Sequence, residues 1–169
     1  DVRQVVAAGA RHVTFADADF LNGPGHALRV ARALHAEFPD VTFDATAKIE
    51  HLLRHRALLP ELAGLGCVFI VSAVESLSDR VLAILDKGHD RADVETALGL
   101  VTATGIALRP TFVPFTPWTT LEGYIDLLDH IEALGLSDAV APIQHALRLL
   151  VTAEARLLEI IEDSRADLV

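Results

Sequence analysis

Polar residues suited to ligand binding lie near the ends of the predicted strands, where they could reach one molecule. Carboxylates can bind an ammonium group, cations can bind a carboxylate, and hydroxyls or amides can bind a sugar. Together they suit a zwitterionic ligand that carries a ribose, although strand ends are often polar because the chain leaves the core there. The set comprises Asp17, Asp19, Asp44, Thr46, Lys48, Ser72, Glu75, Ser76, Arg109, Thr111, Gln144 and His145.

Other reactive residue types have simpler explanations. His51 and His55 are four residues apart on a predicted helix, which is a metal-pair spacing, but they lack the zincin glutamate and a nearby third ligand. We predict that both are surface histidines. Cys67 opens an apolar strand and is predicted to be a small buried hydrophobe. Trp118 could line a pocket or pack its loop, and Lys87 alone fits a cation at a helix C-terminus.

Strands and helices alternate along the chain, which predicts parallel pairing through right-handed crossovers. A doubly wound sheet and a (β/α) barrel both fit this order. Gly23-Pro24-Gly25 lies too far from the first strand for a dinucleotide-binding loop, so the barrel is favoured. We predict strands at 12–16, 41–45, 67–71, 106–113 and 140–144. Helices are predicted at 2–8, 24–38, 49–65 with a break at Pro60, 78–85, 91–104, 121–134 and 153–168.

Composition narrows the classes of partner. The chain is 51% hydrophobic, with 24 acidic and 14 basic residues and a net charge of −10. Scattered cations argue against a nucleic-acid partner. No apolar run reaches the roughly 18 residues of a membrane span, and no signal peptide is visible. We therefore expect a cytoplasmic protein that binds neither nucleic acid nor membrane.

Cysteine and methionine counts also carry information. The sequence has one cysteine and no methionine. One cysteine cannot form a disulfide framework or a cysteine-only metal site within this chain. The chain starts at Asp1 within a predicted helix, and we expect a preceding segment in the parent protein.

Several segments resemble radical S-adenosylmethionine (radical SAM) enzymes. Val74 to Leu82, continuing to Lys87-Gly88-His89, resembles the "ES-x-SD-x-VL…KGH" segment common in that superfamily. Val13 to Phe20 is similar to its second-strand motif, and Arg109 to Phe115 resembles its fifth-strand segment. The stretches 20–27 and 115–120 resemble an uncharacterised subfamily named for a Cys/Sec-Ala-Glu-Pro (CUAEP/CCAEP) tail.

The resemblance implies an architecture. It implies a partial TIM-like (β/α) barrel over 1–151, containing the second to sixth strands of a (β/α)6 core. Residues 152–169 are expected to form a C-terminal helical segment. The resemblance also implies that the parent enzyme cleaves S-adenosylmethionine at a [4Fe-4S] cluster to give a 5′-deoxyadenosyl radical. The Cys-x3-Cys-x2-Cys ligand loop is expected upstream of Asp1, so this chain alone is expected to be inactive.

The same resemblance assigns roles to individual residues. Asp17 and Asp19 would meet the methionyl ammonium group, and Lys87 would neutralise the carboxylate. Glu75 and Ser72 would face the ribose. The adenine or substrate face would include Thr111 and Gln144. The substrate would be a small molecule or a peptide, which the sequence does not specify, and no catalytic residue is assigned.

Two other functions remain open at this point. One is a metal-dependent (β/α) barrel lyase or hydrolase that uses Asp17, Asp19 and a histidine as ligands. The other is a non-catalytic, barrel-derived interaction domain. Because the first strand of the barrel would be missing from this chain, the sheet would have an exposed parallel edge, through which a second copy could pair.

Overall fold

Twelve helices and strands organise the part of the chain that the structure describes. The structure is a computed structural model, and it describes residues 2–152, 154–155 and 157–163. The elements are α1 (Val2–Ala7), β1 (His12–Phe15), α2 (Pro24–Glu37), β2 (Thr42–Thr46), α3 (Ile49–Arg54), α4 (Leu59–Gly64), β3 (Cys67–Glu75), α5 (Asp79–Ile84), α6 (Arg91–Thr102), β4 (Ala107–Phe112), α7 (Leu121–Ala133) and α8 (Leu157–Asp163). Short 3-10 turns lie at Phe20–Asn22, Arg56–Leu58 and Pro142–His145.

The strands form one sheet in the order β1-β2-β3-β4. β1 pairs in parallel with β2, and β2 pairs in parallel with β3. Helices lie between consecutive strands in the chain, as parallel crossovers require. The predicted α/β fold with a parallel sheet is confirmed. β1 ends the strand order, and pairing of its open edge with a second copy stays a prediction.

Side chains alternate between a covered and an open face of the strands. On the covered face of β3, Ile70 and Val74 are buried, whereas Val71 and Ala73 on the other face are half-buried. β4 repeats the pattern, with buried Leu108 between two exposed neighbours. The covered face supplies apolar core, and the open face carries most of the polar strand residues.

The chain divides into two compact units. The first comprises Asp1–Ala73 and Thr96–Arg109, and the second comprises Val74–Glu95 and Pro110–Val169. The first has its own fully buried core residues, including Leu21, Phe43, Ile49, Leu52, Leu59, Leu62, Ile70 and Ile106. The buried core residues of the second unit include Val74, Leu77, Leu82, Phe112, Trp118, Leu127 and Ile131.

The predicted fifth strand is wrong. Residues 142–145 form a 3-10 turn instead, since Pro142 lacks the N–H that a strand ladder needs and is suited to a first helical position. Strand-like pairing occurs later, where Phe115 makes an isolated parallel bridge with Arg148. The Phe115 N–H donates to Leu147 O (3.1 Å), and Leu149 N–H donates to Phe115 O (2.9 Å).

Helix starts follow the predicted capping residues. The Ser78 hydroxyl accepts a hydrogen bond from Val81 N–H (3.4 Å), and the Asp90 carboxylate accepts one from Asp93 N–H (2.9 Å). The predicted break near Pro60 is present, because a 3-10 turn precedes α4.

Only part of the predicted C-terminal helix can be compared with the structure. α8 covers residues 157–163, while residues 153, 156 and 164–169 lie outside the described residues. The boundary predicted between residues 151 and 152 stays a prediction. None of the helices in the described ranges is long and apolar enough to cross a membrane.

Candidate functional site

The two carboxylates of the loop after β1, Asp17 and Asp19, differ in their exposure and in their contacts. Asp17 is exposed, and its Oδ1 accepts a hydrogen bond from Asp19 N–H (2.9 Å). The Asp19 side chain is only 12% exposed and lies with Oδ2 2.7 Å from His51 Nδ1. Its Oδ1 also accepts a long hydrogen bond (3.4 Å) from the backbone N–H of Lys48, which precedes α3. Asp17 is therefore the carboxylate that an approaching ligand would meet first.

The contact with Asp19 corrects the prediction for His51. This histidine is buried rather than a surface residue, because Ile49 and Leu52 on the same helix are in the core and Asp19 meets its ring. The two polar atoms are close but are not aligned as a hydrogen bond. Asp19 and His51 together tie the loop after β1 to the start of α3.

A charged pair lies at the end of β3. Lys87 Nζ and Glu75 Oε1 are 3.4 Å apart, with about a quarter of each side chain exposed (23% and 24%). Glu75 has a positive φ of 69°, and Ser76 N–H donates to Val74 O (2.9 Å) across it. This is a classic γ-turn, which is rare and strained for a residue other than glycine. The turn ends the strand and places the Glu75 carboxylate beside Lys87.

His89 anchors the loop that carries Lys87. Its ring nitrogens lie 3.3 Å from Val74 O and 3.2 Å from Lys87 O, within hydrogen-bonding distance of both carbonyls. Burial lowers the pKa of His89, so the neutral ring is favoured, and that ring can donate a hydrogen bond to one of the two carbonyls. Gly88 has a φ of 69°, a conformation that glycine adopts without strain. The Lys87-Gly88-His89 segment thus holds the lysine against the end of β3.

The remaining predicted site residues have distinct surroundings. Gln144 Oε1 accepts a hydrogen bond from Phe112 N–H (2.9 Å), so the side chain reaches β4 although its own backbone is not in a strand. Thr111 is half-buried on β4, next to that contact. Ser72 is fully buried within β3, on the covered face with Ile70 and Val74. A ligand could meet Ser72 only if the chain around it moved.

The predicted residues fall in both compact units. The first unit contains Asp17, Asp19 and Ser72, and the second contains Glu75, Lys87, Thr111 and Gln144. The two aspartates contact each other in the first unit, and Glu75 contacts Lys87 in the second. The ligand-binding roles assigned to these residues stay predictions.

A second polar cluster, on the open face of the first unit, was not recognised as a cluster from the sequence. His12 Nε2 lies 2.7 Å from Asp44 Oδ1, and the Thr14 hydroxyl donates to the same oxygen (2.7 Å). His12 Nδ1 lies 2.8 Å from Thr42 Oγ1. The neighbouring Phe69 ring stacks on His12, with the centroids 5.8 Å apart. Strand alternation was the available signal, since His12, Thr14, Thr42 and Asp44 occupy one face of adjacent strands.

Trp118 and Cys67 are both buried. Trp118 borders a cavity of about 200 Å³ together with Ser76, Pro114 and Thr119, so it both packs its loop and lines a pocket. Cys67 fits the prediction of a small buried hydrophobe. Burial, with a smaller contribution from the negative charge of Asp44, raises the pKa of the Cys67 thiol to about 12.

The raised thiol pKa predicts a loss of stability at high pH. Above the ordinary value of 9.0 the unfolded thiol ionises, whereas the folded one keeps its proton until about 12. The free energy of unfolding should therefore fall as pH rises through this window, by roughly 2 kcal/mol at about pH 10.5. Urea denaturation of the wild type and Cys67→Ala at about pH 8 and pH 10.5 would measure the difference. An equal pH dependence in both proteins would contradict this assignment.

The described residues contain no group of three or more histidine, cysteine, aspartate and glutamate side chains arranged to hold a metal ion. Asp19 and His51 do meet, but no third ligand of these types joins them among those residues. The arrangement therefore gives no support to the metal-dependent alternative that used Asp17, Asp19 and a histidine.

Comparison with known proteins gives matches only among solved structures. No protein-family model matches the chain, and no curated protein does. The cobalamin-dependent S-adenosylmethionine radical enzyme OxsB with aqua-cobalamin bound is 23% identical, with a TM-score of 0.64 over 96% of this chain and 25% of OxsB.

Two further structures extend the likeness. The radical S-adenosylmethionine methyltransferase TsrM from Kitasatospora setae, with cobalamin and a [4Fe-4S] cluster bound, is 18% identical, with a TM-score of 0.66 over 79% of this chain and 26% of TsrM. Coproporphyrinogen III oxidase (HemN) from Escherichia coli, a radical SAM enzyme, is 12% identical, with a TM-score of 0.56 over 85% of this chain and 37% of HemN.

These likenesses define the fold as an α/β fold found within radical SAM enzymes, consistent with a partial barrel. The chain spans about a quarter of the length of OxsB and of TsrM. Because fold alone does not fix chemistry, the activity has to be argued from the site.

Proposed function

We propose that this chain is a core part of a radical SAM enzyme, within which it binds S-adenosylmethionine. The observation that carries the proposal is the Glu75–Lys87 pair at the end of β3. It lies in the segment that resembles the "ES…KGH" motif, on a fold shared with OxsB and TsrM. We also propose that the enzyme acts in the cytoplasm and that its substrate is a small molecule or a peptide.

The residues fit the charges of S-adenosylmethionine. Asp17 offers an exposed carboxylate for the methionyl ammonium, and Asp19 holds the loop that carries Asp17. Lys87 would neutralise the ligand carboxylate, while Glu75 keeps the lysine in place and accepts hydrogen bonds from the ribose. Thr111 and Gln144 would contribute to the adenine or substrate face. When bound beside a reduced iron–sulfur cluster, S-adenosylmethionine supplies a 5′-deoxyadenosyl radical.

The residues of this chain do not fit the cluster itself. A [4Fe-4S] cluster with one open iron needs three thiolates. The sequence has only Cys67, whose thiol is buried and has a pKa raised to about 12. In the proposed enzyme the cluster ligands belong to another part of the larger protein, and no step of the reaction is assigned here to a residue that binds iron.

The proposal is tested on the longest polypeptide that the gene encodes. After anaerobic reconstitution with iron, sulfide and a strong reductant, we expect S-adenosylmethionine to be cleaved to 5′-deoxyadenosine. Lys87→Ala should raise the Kd for S-adenosylmethionine about tenfold or more, because a charge-assisted contact is lost. Lys87→Arg should restore part of the affinity.

Arg56→Ala is the matched control, since Arg56 is an exposed cation on the 3-10 turn before α4. Its affinity should equal that of the wild type. A polypeptide without a three-cysteine loop, or one that takes up the cluster but leaves S-adenosylmethionine intact, would refute the proposed enzyme. Equal binding by the wild type and Lys87→Ala would remove Lys87 from the site.

A further inference from the structure

Arg109 lies on the open face of the first unit, next to the cluster formed by His12, Thr14 and Asp44. Its guanidinium carbon is 4.0 Å from the centroid of the Phe69 ring, a cation–π contact. His12 stacks on the same ring. In the strand order, His12 on β1 and Arg109 on β4 approach β3 from opposite sides. Phe69 therefore contacts both the His12 ring and the Arg109 guanidinium.

The His12 ring that stacks on Phe69 is itself held by neighbouring side chains. Both ring nitrogens of His12 are within hydrogen-bonding distance of a side-chain oxygen, one from Thr42 and one from Asp44. Asp44 is buried and also accepts the Thr14 hydroxyl. Because each member of this chain of contacts restrains the next, Arg109 is presented with less rotamer freedom than an ordinary surface arginine has.

Within the described residues, the side chain of Arg109 has no carboxylate partner and makes no hydrogen bond. By contrast, Arg3, Arg32, Arg54 and Arg91 each pair with a carboxylate. The carboxylate in the neighbouring cluster belongs to Asp44, which already accepts hydrogen bonds from two side chains. The positive charge and the planar donor edge of Arg109 thus remain available.

We propose that Arg109 binds the carboxylate of a small organic acid on the open face of the sheet. A guanidinium matches a planar carboxylate through two parallel N–H···O bonds, and Arg109 meets Phe69 through a cation–π contact rather than through an N–H hydrogen bond. Half-buried Val71 and exposed Ala107 on the same face offer accessible apolar surface to the apolar part of the ligand. Binding at this site requires neither S-adenosylmethionine nor a cluster, so it can be tested independently of the proposed function.

The site can be tested on the 169-residue chain by NMR of the arginine Nε–H groups. Benzoate represents a free acid, acetyl-alanyl-alanine represents a peptide C-terminus, and inorganic phosphate is the competing oxyanion, all at constant ionic strength. We expect a saturable shift of the Arg109 Nε–H signal with benzoate or with the peptide. Whichever saturates at lower concentration identifies the source of the carboxylate.

Arg109→Gln should raise the Kd for that probe about tenfold or more, while the matched variant Arg56→Gln leaves it unchanged. If Arg109→Gln does not fold by circular dichroism, Arg109→Lys takes its place, since it keeps the charge and loses the fork; it should also weaken binding. Equal affinity in the variant and the wild type, a shift that does not saturate, or tighter binding of phosphate than of either carboxylate would overturn the proposal. Absence of S-adenosylmethionine cleavage would not.

Discussion

Replacing Phe43 with alanine is expected to lower the free energy of unfolding by about 3–5 kcal/mol. The ring is fully buried on the covered face of β2 and packs edge-on against Phe15, with the centroids 5.3 Å apart. The Phe20 ring also lies beside it, with the centroids of the two rings 6.3 Å apart. Truncation removes apolar contacts from three elements at once and leaves a cavity that the paired strand cannot easily fill. Urea denaturation followed by circular dichroism would measure the change.

Phe115→Ala serves as the matched control, because that ring is 40% exposed and only partly packed against Tyr124. We expect a loss below about 1 kcal/mol for this variant. Similar losses for the two phenylalanines would mean that Phe43 is not part of a well-packed core.

Asp44→Ala is expected to cost about 3 kcal/mol, because it leaves two donors of the cluster without their acceptor. His12 Nε2 and the Thr14 hydroxyl both meet Asp44 Oδ1, and the Asp44 side chain is 6% exposed. Asp44→Asn keeps an oxygen at the same place and should cost roughly 1 kcal/mol. The free energies of unfolding of both variants, measured by urea denaturation at neutral pH, would separate the effect of the lost hydrogen bonds from the effect of the lost charge.

Asp40→Ala provides the control for general effects of removing an aspartate, since Asp40 is exposed in the turn before β2. Its stability should stay within about 0.5 kcal/mol of the wild type. An asparagine variant as unstable as the alanine variant would show that the charge of Asp44, and not its hydrogen-bond geometry, stabilises the cluster.

The regular elements were predictable where local signals agreed. Apolar periodicity together with capping residues such as Ser78 and Asp90 located the helices, and a buried apolar run located the start of β3. The end of β3 was not predictable, because Glu75 is joined to the neighbouring chain by a tertiary hydrogen bond from Val113 N–H (2.8 Å). Pro142 was the missed signal against a fifth strand.

The candidate site was likewise predictable where a local sequence pattern sufficed and not where a tertiary contact was needed. Glu75 and Lys87 were selected from a short sequence pattern, and the structure places their charged groups 3.4 Å apart. The pairing of Asp19 with His51 could not be derived, because 32 residues separate them and helical spacing alone suggested a surface histidine. Burial of Ser72 depends on which face of a longer strand it occupies, and the sequence did not give that length.

The γ-turn at Glu75 has a consequence for how the chain would respond to selection. A residue with φ of 69° costs about 1–3 kcal/mol when it is not glycine, yet a carboxylate is present there. Selection for thermal tolerance alone would favour glycine at this position, whereas selection for ligand binding would retain the acid. Residue 75 is thus a position where the backbone conformation favours glycine and the proposed ligand contact favours an acid.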